Sequence, residues 1–387
     1  MNRNLAVLTL SQIFSFTAAP VTVFLSGIIG SQISPLKSLS TLPMSISVLG
    51  IAIGAVIASK LMSIIGRKLG FIVASIGNCL ASIIAAYSIF IQGFYLFCLA
   101  NFFIGVGMAF THQYRFAAAE SVEKNKIPRA ISIILLGGIV SAIIGPAVAN
   151  ISKDLIETYM YVGSYLALSV LTFLPAIFFI FYTNTSKIEI NTVYAGRSYL
   201  ELLSQPKYLQ AIIASALGYA IMTFLMTGTP LSMHVMEGMS LSKTSIVIQI
   251  HVACMFLPSL ITGNLIKKFG HSKIMYAGSM LYCITIIVSF FDQSFFNYMF
   301  ALIFLGFGWN FLFISGTSLV VLTYKEEEKF RVQGINDLIV FSTMAFASLS
   351  AGILLSLTSW KTMNLICIPF LILIVFTTFR AEALRKK

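Results

Sequence analysis

Charged side chains are scarce in this sequence. Only 10% of the 387 residues are Asp, Glu, Lys or Arg, and the 13 acidic residues are outnumbered by 25 basic ones. Hydrophobic residues make up 58% of the chain, and the mean hydropathy is +0.93. A soluble globular domain carries about 25% charged residues, so the composition excludes that class. It indicates a polytopic membrane protein.

Several kinds of site are also missing from the sequence. The five cysteines lie within apolar runs and form no CxxC pair, which argues against a disulfide framework and against a zinc site. No phosphate-binding loop and no pairing of a nucleophile with a base is visible. We therefore expect neither an enzyme nor a self-contained ATP-driven pump, and we expect no cofactor and no metal.

The net charge of +12 is spread between apolar segments, whereas nucleic-acid binding needs a basic patch on one face. Retention of Lys and Arg in cytoplasmic loops explains this spread better than a nucleic-acid partner does. With the amino end inside, 21 of the 25 basic residues fall on the cytoplasmic side. The other side holds Lys37, Lys153, Lys243 and Lys361. We predict a bacterial inner-membrane protein with both termini in the cytoplasm.

Apolar runs long enough to cross a hydrocarbon core of about 30 Å recur along the whole chain. They lie at roughly 5–30, 40–65, 69–90, 94–118, 129–150, 159–182, 208–230, 243–266, 272–291, 295–322, 332–357 and 361–379. A less apolar segment, 183–207, separates the sixth run from the seventh. The pattern predicts an all-α protein with 12 transmembrane helices, the first of which is not a removed signal peptide.

The two halves of the sequence repeat each other at a nearly constant offset. Gly66 and Gly270 are 204 residues apart, and each is followed by basic residues. The segment GVGMAF corresponds to GFGWNF at an offset of 201, and the charged turn that ends in Arg129 corresponds to one that ends in Arg331, at 202. Three matches at nearly one offset predict a duplicated six-helix unit.

With this duplication, the whole chain resembles the major facilitator superfamily. The loop motif of that family is represented by Ser59, Gly66, Arg67 and Lys68, and in the second copy by Gly263, Lys267, Lys268 and Gly270. Ser63 and Ile64 stand where the first copy should have an acid-arginine pair, and Asn101 replaces the arginine of the fourth-helix motif. The fifth-helix motif of proton-driven exporters is matched by Gly137, Gly138, Gly145 and Pro146.

The resemblance implies two pseudo-symmetric six-helix bundles, at 1–182 and 208–387, joined by a cytoplasmic linker at 183–207. A central cavity would open alternately to each side of the membrane, and helices one, four, seven and ten would line it. The glycines of the loop and fifth-helix motifs, with Arg67 and Pro146, would then be conformational residues.

The fourth predicted helix carries a polar stripe. On a helix, Asn101, His112 and Arg115 fall on the same face as Gly105. An arginine near the bilayer centre costs on the order of 3 kcal/mol, so it is normally turned toward protein or a watery cavity. We predict that the three polar residues contact an anionic or carboxylate-bearing solute. The alternative is an Arg115 that reaches the cytoplasmic headgroups.

Few acids are available for proton coupling. Glu120 and Asp337 lie nearest to the membrane interior, near cytoplasmic helix ends. If protons drive transport, these two carboxylates, His112 or His251 must carry them. The two carboxylates also have basic neighbours in sequence, so we expect ion pairs of Glu120 with Arg129 and of Asp337 with Arg331.

Five further polar or aromatic residues lie within predicted cavity-lining helices. They are Gln12 in the first, Tyr219 and Thr223 in the seventh, and Trp309 and Asn310 in the tenth. They have the chemistry to stack on a solute or to form hydrogen bonds with it. Polar residues also join membrane helices to one another, and the sequence does not separate the two roles.

These observations predict a monomeric secondary active transporter, proton-coupled, that moves a small organic solute by alternating access. The fifth-helix motif favours export by exchange, whereas the cationic stripe favours an anionic cargo. Uptake of an anionic metabolite or a metal chelate by proton symport is the rival within transport. A membrane sensor that binds its ligand without moving it is the rival from another class.

Overall fold

The computed structural model describes residues 2–36, 39, 42–184 and 197–384. Within these residues the chain is almost entirely helical, as predicted. The α-helices are α1 (Arg3–Ser15), α2 (Ala18–Ile33), α3 (Leu42–Phe90), α4 (Phe94–His112), α5 (Tyr114–Glu120), α6 (Ile127–Ile151), α7 (Val162–Phe179), α8 (Tyr199–Leu203), α9 (Pro206–Pro230), α10 (Leu241–Phe256), α11 (Ser259–Phe269), α12 (His271–Val288), α13 (Phe295–Val321), α14 (Lys329–Leu357), α15 (Trp360–Ile366) and α16 (Ile368–Ala383). A π-helix, Leu231–Met236, extends α9.

The longest helix, α3, contains two membrane spans. Its 49 residues would extend about 74 Å as one rod, more than twice the thickness of a hydrocarbon core. Gly66 interrupts it with φ of 79° and ψ of 165°. Eleven helical stretches of the described residues are long and apolar enough to cross a membrane, and dividing α3 at Gly66 makes twelve spans. The predicted number is confirmed.

The spans are numbered in chain order. The first is α1 with α2, the second and third are the two parts of α3, the fourth is α4 with α5, the fifth α6, the sixth α7, the seventh α9, the eighth α10 with α11, the ninth α12, the tenth α13, the eleventh α14, and the twelfth α15 with α16. Side chains cap several of the helices, because a Ser or Asn oxygen accepts the N–H three residues later. These capping residues are Asn2, Ser198, Ser240, Ser294 and Ser359.

Several spans are interrupted along their length. In the first, the Thr17 N–H bonds the Phe14 carbonyl at 3.2 Å and not the Ile13 carbonyl, which lies four residues before it. The Ile13 carbonyl is therefore able to accept from a donor outside the helix. In the fourth, the Gln113 N–H bonds the carbonyl of Phe110, three residues earlier, at 3.0 Å, which interrupts the α-helical pattern. The eighth span is interrupted next to Pro258, which has no N–H to give to the ladder.

The chain forms two compact units. The first unit comprises Met1–Val122, Gly137–Val193 and Gln333–Leu338. The second unit comprises Glu123–Leu136, Tyr194–Val332 and Ile339–Lys387. Each unit therefore includes a short segment near the start of a helix, α6 or α14, whose remaining residues belong to the other unit.

The division into these two units does not test the predicted bundles at 1–182 and 208–387, which stay predictions. Of the predicted linker 183–207, residues 185–196 lie outside the described part of the chain. Its far end is held within the second unit, where Arg197 donates to Glu328 through Nε at 2.9 Å and Nη2 at 2.5 Å. These hydrogen bonds raise the pKa of Arg197 above its ordinary value.

The backbone repeats the duplication seen in the sequence. Gly270 has φ of 85° and ψ of 161°, nearly the values at Gly66. Helix contacts repeat as well: a Cβ on Gly105 would strike the Ser47 carbonyl, and a Cβ on Gly306 would lie 2.9 Å from the carbonyl oxygen of His251. The offsets between these partners, 204 and 201, are those of the sequence repeat. Close helix approach is therefore built at the same places in both halves.

Replacing Gly270 by alanine is expected to destabilise the protein through its backbone alone. Its φ and ψ lie in a region that essentially only glycine adopts, which costs another residue about 1–3 kcal/mol, although no atom lies within 4 Å of the added Cβ. Gly77 in α3 has the same open space but helical geometry, so Gly77→Ala is the control and should stabilise by up to ~1 kcal/mol. Thermal unfolding in detergent measures both, and a G270A protein as stable as wild type would contradict this account.

Candidate functional site

A buried ion pair joins the fourth and eleventh spans. Arg115 Nη2 donates to Asp337 Oδ1, and the two side chains are 2% and 0% exposed. Gln113 Nε2 donates to the other carboxylate oxygen at 2.8 Å, and Asn336 Nδ2 donates to Oδ1 at 3.0 Å. Arg115 therefore lies inside the protein, as predicted, but its charge is balanced by a carboxylate of the chain.

The expected pairing of Asp337 with Arg331 is wrong. Six residues separate the two along α14, so their side chains leave the helix about 120° apart. Arg331 instead donates to the backbone carbonyl of Arg197. A carboxylate buried this deeply needs its cation on the same face of the helix, and Arg115 supplies it.

A second ion pair lies in the same unit. Arg67 donates to Glu120 through Nε at 2.7 Å and through Nη2 at 2.5 Å, a two-pronged geometry that suits a guanidinium. Gln333 joins them, since its Oε1 accepts from Arg67 at 2.6 Å and its Nε2 donates to Glu120 at 3.1 Å. The expected pairing of Glu120 with Arg129 is therefore wrong, because Arg67 occupies both of its oxygens.

One face of α14 thus inserts three polar side chains into the first unit. Gln333, Asn336 and Asp337 stand at positions i, i+3 and i+4, which share a helix face. Sequence reasoning found Asp337 but missed Gln333, Asn336 and Gln113. The signal available was the spacing of three polar residues in an apolar helix and an amide two residues before Arg115.

Small residues bring helices into close contact in both units. In the first unit, a Cβ on Gly334 would lie 2.6 Å from Ser59 Oγ. In the second, a Cβ on Gly263 would lie 2.8 Å from Ser132 Oγ. Ser59 corresponds to Gly263 in the sequence repeat, and Ser132 corresponds to Gly334. Serine and glycine exchange places between the copies, and the same close approach results.

The fifth span packs against the interruption of the first. A Cβ on Gly137 would lie 3.1 Å from Gln12 Cγ, and one on Gly145 would lie 2.9 Å from Pro20 Cγ. Between these glycines, Ser141 Oγ donates to the Ile13 carbonyl at 2.8 Å, the group that the helical ladder leaves. The residues of the fifth-helix motif therefore pack this bend, and Gly138 beside them is buried. The side chain of Pro146 lies outside the described residues.

The remaining candidates of the first unit differ in their surroundings. Gln12 is buried, and its Oε1 forms no hydrogen bond within the described residues. Asn101 is buried and donates to the Phe97 carbonyl of its own helix at 2.8 Å. His112 is half-buried, with its ring edge-on to Phe16 at 5.9 Å. The predicted stripe is interrupted between His112 and Arg115 by the break at Gln113.

Aromatic side chains cluster in the second unit. The Tyr219 ring lies edge-on to Trp309 and to Phe313, with centroids 5.3 Å apart in each case. Trp309 and Phe313 stack at 5.0 Å with an interplanar angle of 14°. Tyr219 is half-buried, whereas the rings behind it are buried, and Thr223 lies buried one turn further along α9. Sequence reasoning missed Phe313, which is four residues after Trp309.

Two candidates serve contacts between helices in this structure. Asn310 donates to the Met255 carbonyl and to Ser259 Oγ, each at 2.7 Å, and accepts from Thr262 at 2.7 Å. His251 is buried, and its Nδ1 lies 2.8 Å from the Leu302 carbonyl. Their polar groups hold the eighth span against the tenth.

The sequence matches the family model for the Major Facilitator Superfamily over residues 5–260 and 238–387. The chain belongs to the Major Facilitator Superfamily. The riboflavin transporter RfnT of Brucella anthropi is 36% identical over 376 residues, which cover 96% of this chain and 94% of that protein. The uncharacterized MFS-type transporter YdeG of Bacillus subtilis is 26% identical over 380 residues, which cover 94% and 88%.

Solved structures share the superfamily fold at low identity. The human organic anion transporter MFSD10 (TETRAN) has a TM-score of 0.78 and 13% identity, covering 97% of this chain and 99% of that one. FucP in the outward conformation has a TM-score of 0.73 and 16% identity, covering 97% and 98%. These likenesses confirm the 12-helix, two-bundle fold. The chain is a multi-pass membrane transporter of a small solute and not an enzyme.

The superfamily loop motif is altered here, yet its arginine keeps an acidic partner. Ser63 and Ile64 replace the acid-arginine pair of the motif. Glu120, at the end of the fourth span, supplies the carboxylate that Arg67 binds. The motif is thus completed by a residue about fifty positions later in the chain.

Neutralising Arg115 alone or Asp337 alone is expected to destabilise the protein by about 3–5 kcal/mol, because the remaining charge stays buried without its partner. The double variant R115Q/D337N removes both charges and should regain most of that loss. Thermal unfolding of R115Q, D337N and the double variant in detergent measures the difference. A double variant whose loss of stability equals the sum of the two single losses would show that the pair is not coupled.

Proposed function

We propose that this chain is a secondary active transporter of riboflavin or of a closely similar neutral heterocycle. The observation that carries the proposal is the 36% identity to a riboflavin transporter, which extends over nearly the whole of both chains. The similarity therefore includes the spans of both halves and is not confined to one shared segment.

The charge balance of the first unit supports a neutral cargo. The predicted anionic solute depended on Arg115 as a cation open to the solute, but Asp337 neutralises it, and Glu120 neutralises Arg67. A buried cation that already holds its counter-charge offers little further attraction to an anion. Riboflavin has no ionised group near neutral pH, so it needs no such attraction.

The aromatic cluster of the second unit supports a flat solute. We propose that Tyr219, the half-buried ring of the cluster, contacts the three-ring system of the flavin, with Trp309 and Phe313 fixed behind it. An aromatic contact with a nucleobase is worth about 1–3 kcal/mol, and a flavin ring is a comparable surface.

Proton coupling, an inner-membrane location and cytoplasmic termini belong to the same proposal. Cytoplasmic termini are supported by the 21-to-4 distribution of basic residues. The contacts of Gly334 with Ser59 and of Gly263 with Ser132 would separate and re-form as access alternates. Export by exchange stays a prediction. The packing of Gly137 and Gly145 on the first span is compatible with transport in either direction across the membrane.

Liposomes containing the purified protein are expected to exchange external labelled riboflavin for unlabelled riboflavin inside, because a secondary transporter exchanges its solute without a gradient. Protein-free liposomes are the control. Competition by flavin mononucleotide, whose phosphate makes it anionic, should be weaker than by riboflavin. Stronger competition by flavin mononucleotide than by riboflavin would instead support the predicted anionic cargo. Binding of riboflavin without exchange would indicate a sensor.

The two tryptophans of the chain, Trp309 and Trp360, allow a direct test of the contact site. In a W360F protein the single indole lies 5.3 Å from the Tyr219 ring, so riboflavin bound there should quench its fluorescence. Y219A in that background should raise the half-saturating riboflavin concentration roughly 5- to 140-fold. Y87A, which removes an exposed tyrosine of α3, is the matched control. An unaltered titration in Y219A would rule out the ring contact.

A further inference from the structure

The hydrogen bonds around Asp337 are incomplete in a specific way. Its carboxylate accepts from Arg115 and from the amide nitrogens of Gln113 and Asn336. The oxygens of those amides, Gln113 Oε1 and Asn336 Oδ1, are buried and form no hydrogen bond within the described residues. A buried acceptor without a donor destabilises the state that contains it. Two such acceptors flank the one carboxylate that Arg115 neutralises.

This arrangement suits both protonation states of Asp337. An ionised carboxylate only accepts hydrogen bonds. In the structure, the amide N–H groups of Gln113 and Asn336 donate hydrogen bonds to it. A protonated carboxyl also donates one. Turning the Gln113 amide by half a rotation would place Oε1 where Nε2 now lies and accept that proton. No other group would have to move to satisfy the added hydrogen.

The neighbouring ion pair lacks this property. Gln333 already uses both ends of its amide, since it accepts from Arg67 and donates to Glu120. Glu120 receives two hydrogen bonds from Arg67, and the Gln333 amide oxygen beside it already accepts one. Of the two carboxylates, Asp337 is the one whose neighbouring amides have oxygens that form no hydrogen bond within the described residues.

We infer that Asp337 is the proton-binding site of the transport cycle and that Arg115 is its exchangeable counter-ion. This inference rests on the proposed proton coupling but not on the identity of the solute. A proton from solution bonds to a carboxylate oxygen of Asp337, and the guanidinium of Arg115 stays protonated while the negative charge of Asp337 is lost. A buried guanidinium whose carboxylate has been neutralised is more stable where water reaches it, so the bound proton favours the state in which the contact with α14 opens.

Other charged groups near Asp337 do not remove this role. Within the described part of the chain, the charged side chains that act on Asp337 are Arg115 and, to a smaller extent, Arg67, which is bound to Glu120, while His112 lies near Arg115. With both ion pairs formed, the positive and negative charges of the two pairs cancel. One added proton therefore leaves one uncompensated positive charge, and Arg115 is the cation in direct contact with the neutralised group.

The experiment compares ion pairs in liposomes. R115Q/D337N should still exchange riboflavin across the membrane, but its accumulation ratio under a pH gradient should fall to one. R67Q/E120Q should retain gradient-driven accumulation. R197Q/E328Q, which removes an arginine-carboxylate pair of the second unit, is the matched control and should accumulate as wild type does. Gradient-driven accumulation by R115Q/D337N equal to that of wild type would overturn the inference.

A second measurement does not depend on the solute. Infrared difference spectra of the purified protein between high and low pH should show the C=O stretch of a protonated carboxyl. This band should be absent in D337N and should return, displaced, in D337E. The same band in D337N as in wild type would overturn the inference. If the band behaves as expected but wild type moves no riboflavin, only the proposed cargo is wrong.

Discussion

A charge buried in an apolar protein must have its opposite beside it, and the first unit is organised around that requirement. Arg67 and Arg115 are both almost fully buried, and each is met by one carboxylate. Neither carboxylate comes from the same helix as its arginine. The ion pairs therefore tie together the second-to-third turn, the fourth span and the start of the eleventh. Breaking one partner costs far more than such a pair contributes to stability, which makes the pairs effective locks.

The same requirement explains the polar face of α14. The membrane-spanning helix α14 carries Gln333, Asn336 and Asp337 on one side, and all three are buried. In a membrane such a face is tolerable only against protein, where its hydrogen bonds are met. We propose that this face exchanges its partners during the transport cycle and that a proton on Asp337, beside the amide oxygens of Gln113 and Asn336, makes the exchange possible.

Close packing supplies the second constraint. Hydrophobic burial does not bring helices together within a lipid environment, so close contact depends on small residues and on hydrogen bonds between helices. Gly105, Gly306 and Gly263 remove side chains where a neighbouring backbone or hydroxyl approaches. Ser141 serves both purposes, because it is small and its hydroxyl binds the carbonyl that the first span leaves. Duplication repeats these contacts in both halves, although the residue types differ from copy to copy.

Much of this followed from the sequence alone. Long apolar runs determine the spans because lipid offers the backbone no hydrogen bonds, and the twelve predicted runs agree with the helices. The offset near 202 revealed the repeat, and the cost of a buried guanidinium placed Arg115 against protein. The partners of Glu120 and Asp337 were beyond its reach, whereas Gln113, Gln333 and Asn336 were missed although their spacing was visible in the sequence. Which side chains meet depends on the rotation of each helix and on where it breaks, and these are set by packing between helices far apart in sequence. Only the tertiary structure therefore showed that Arg115, which was predicted to contact the solute, forms an internal ion pair.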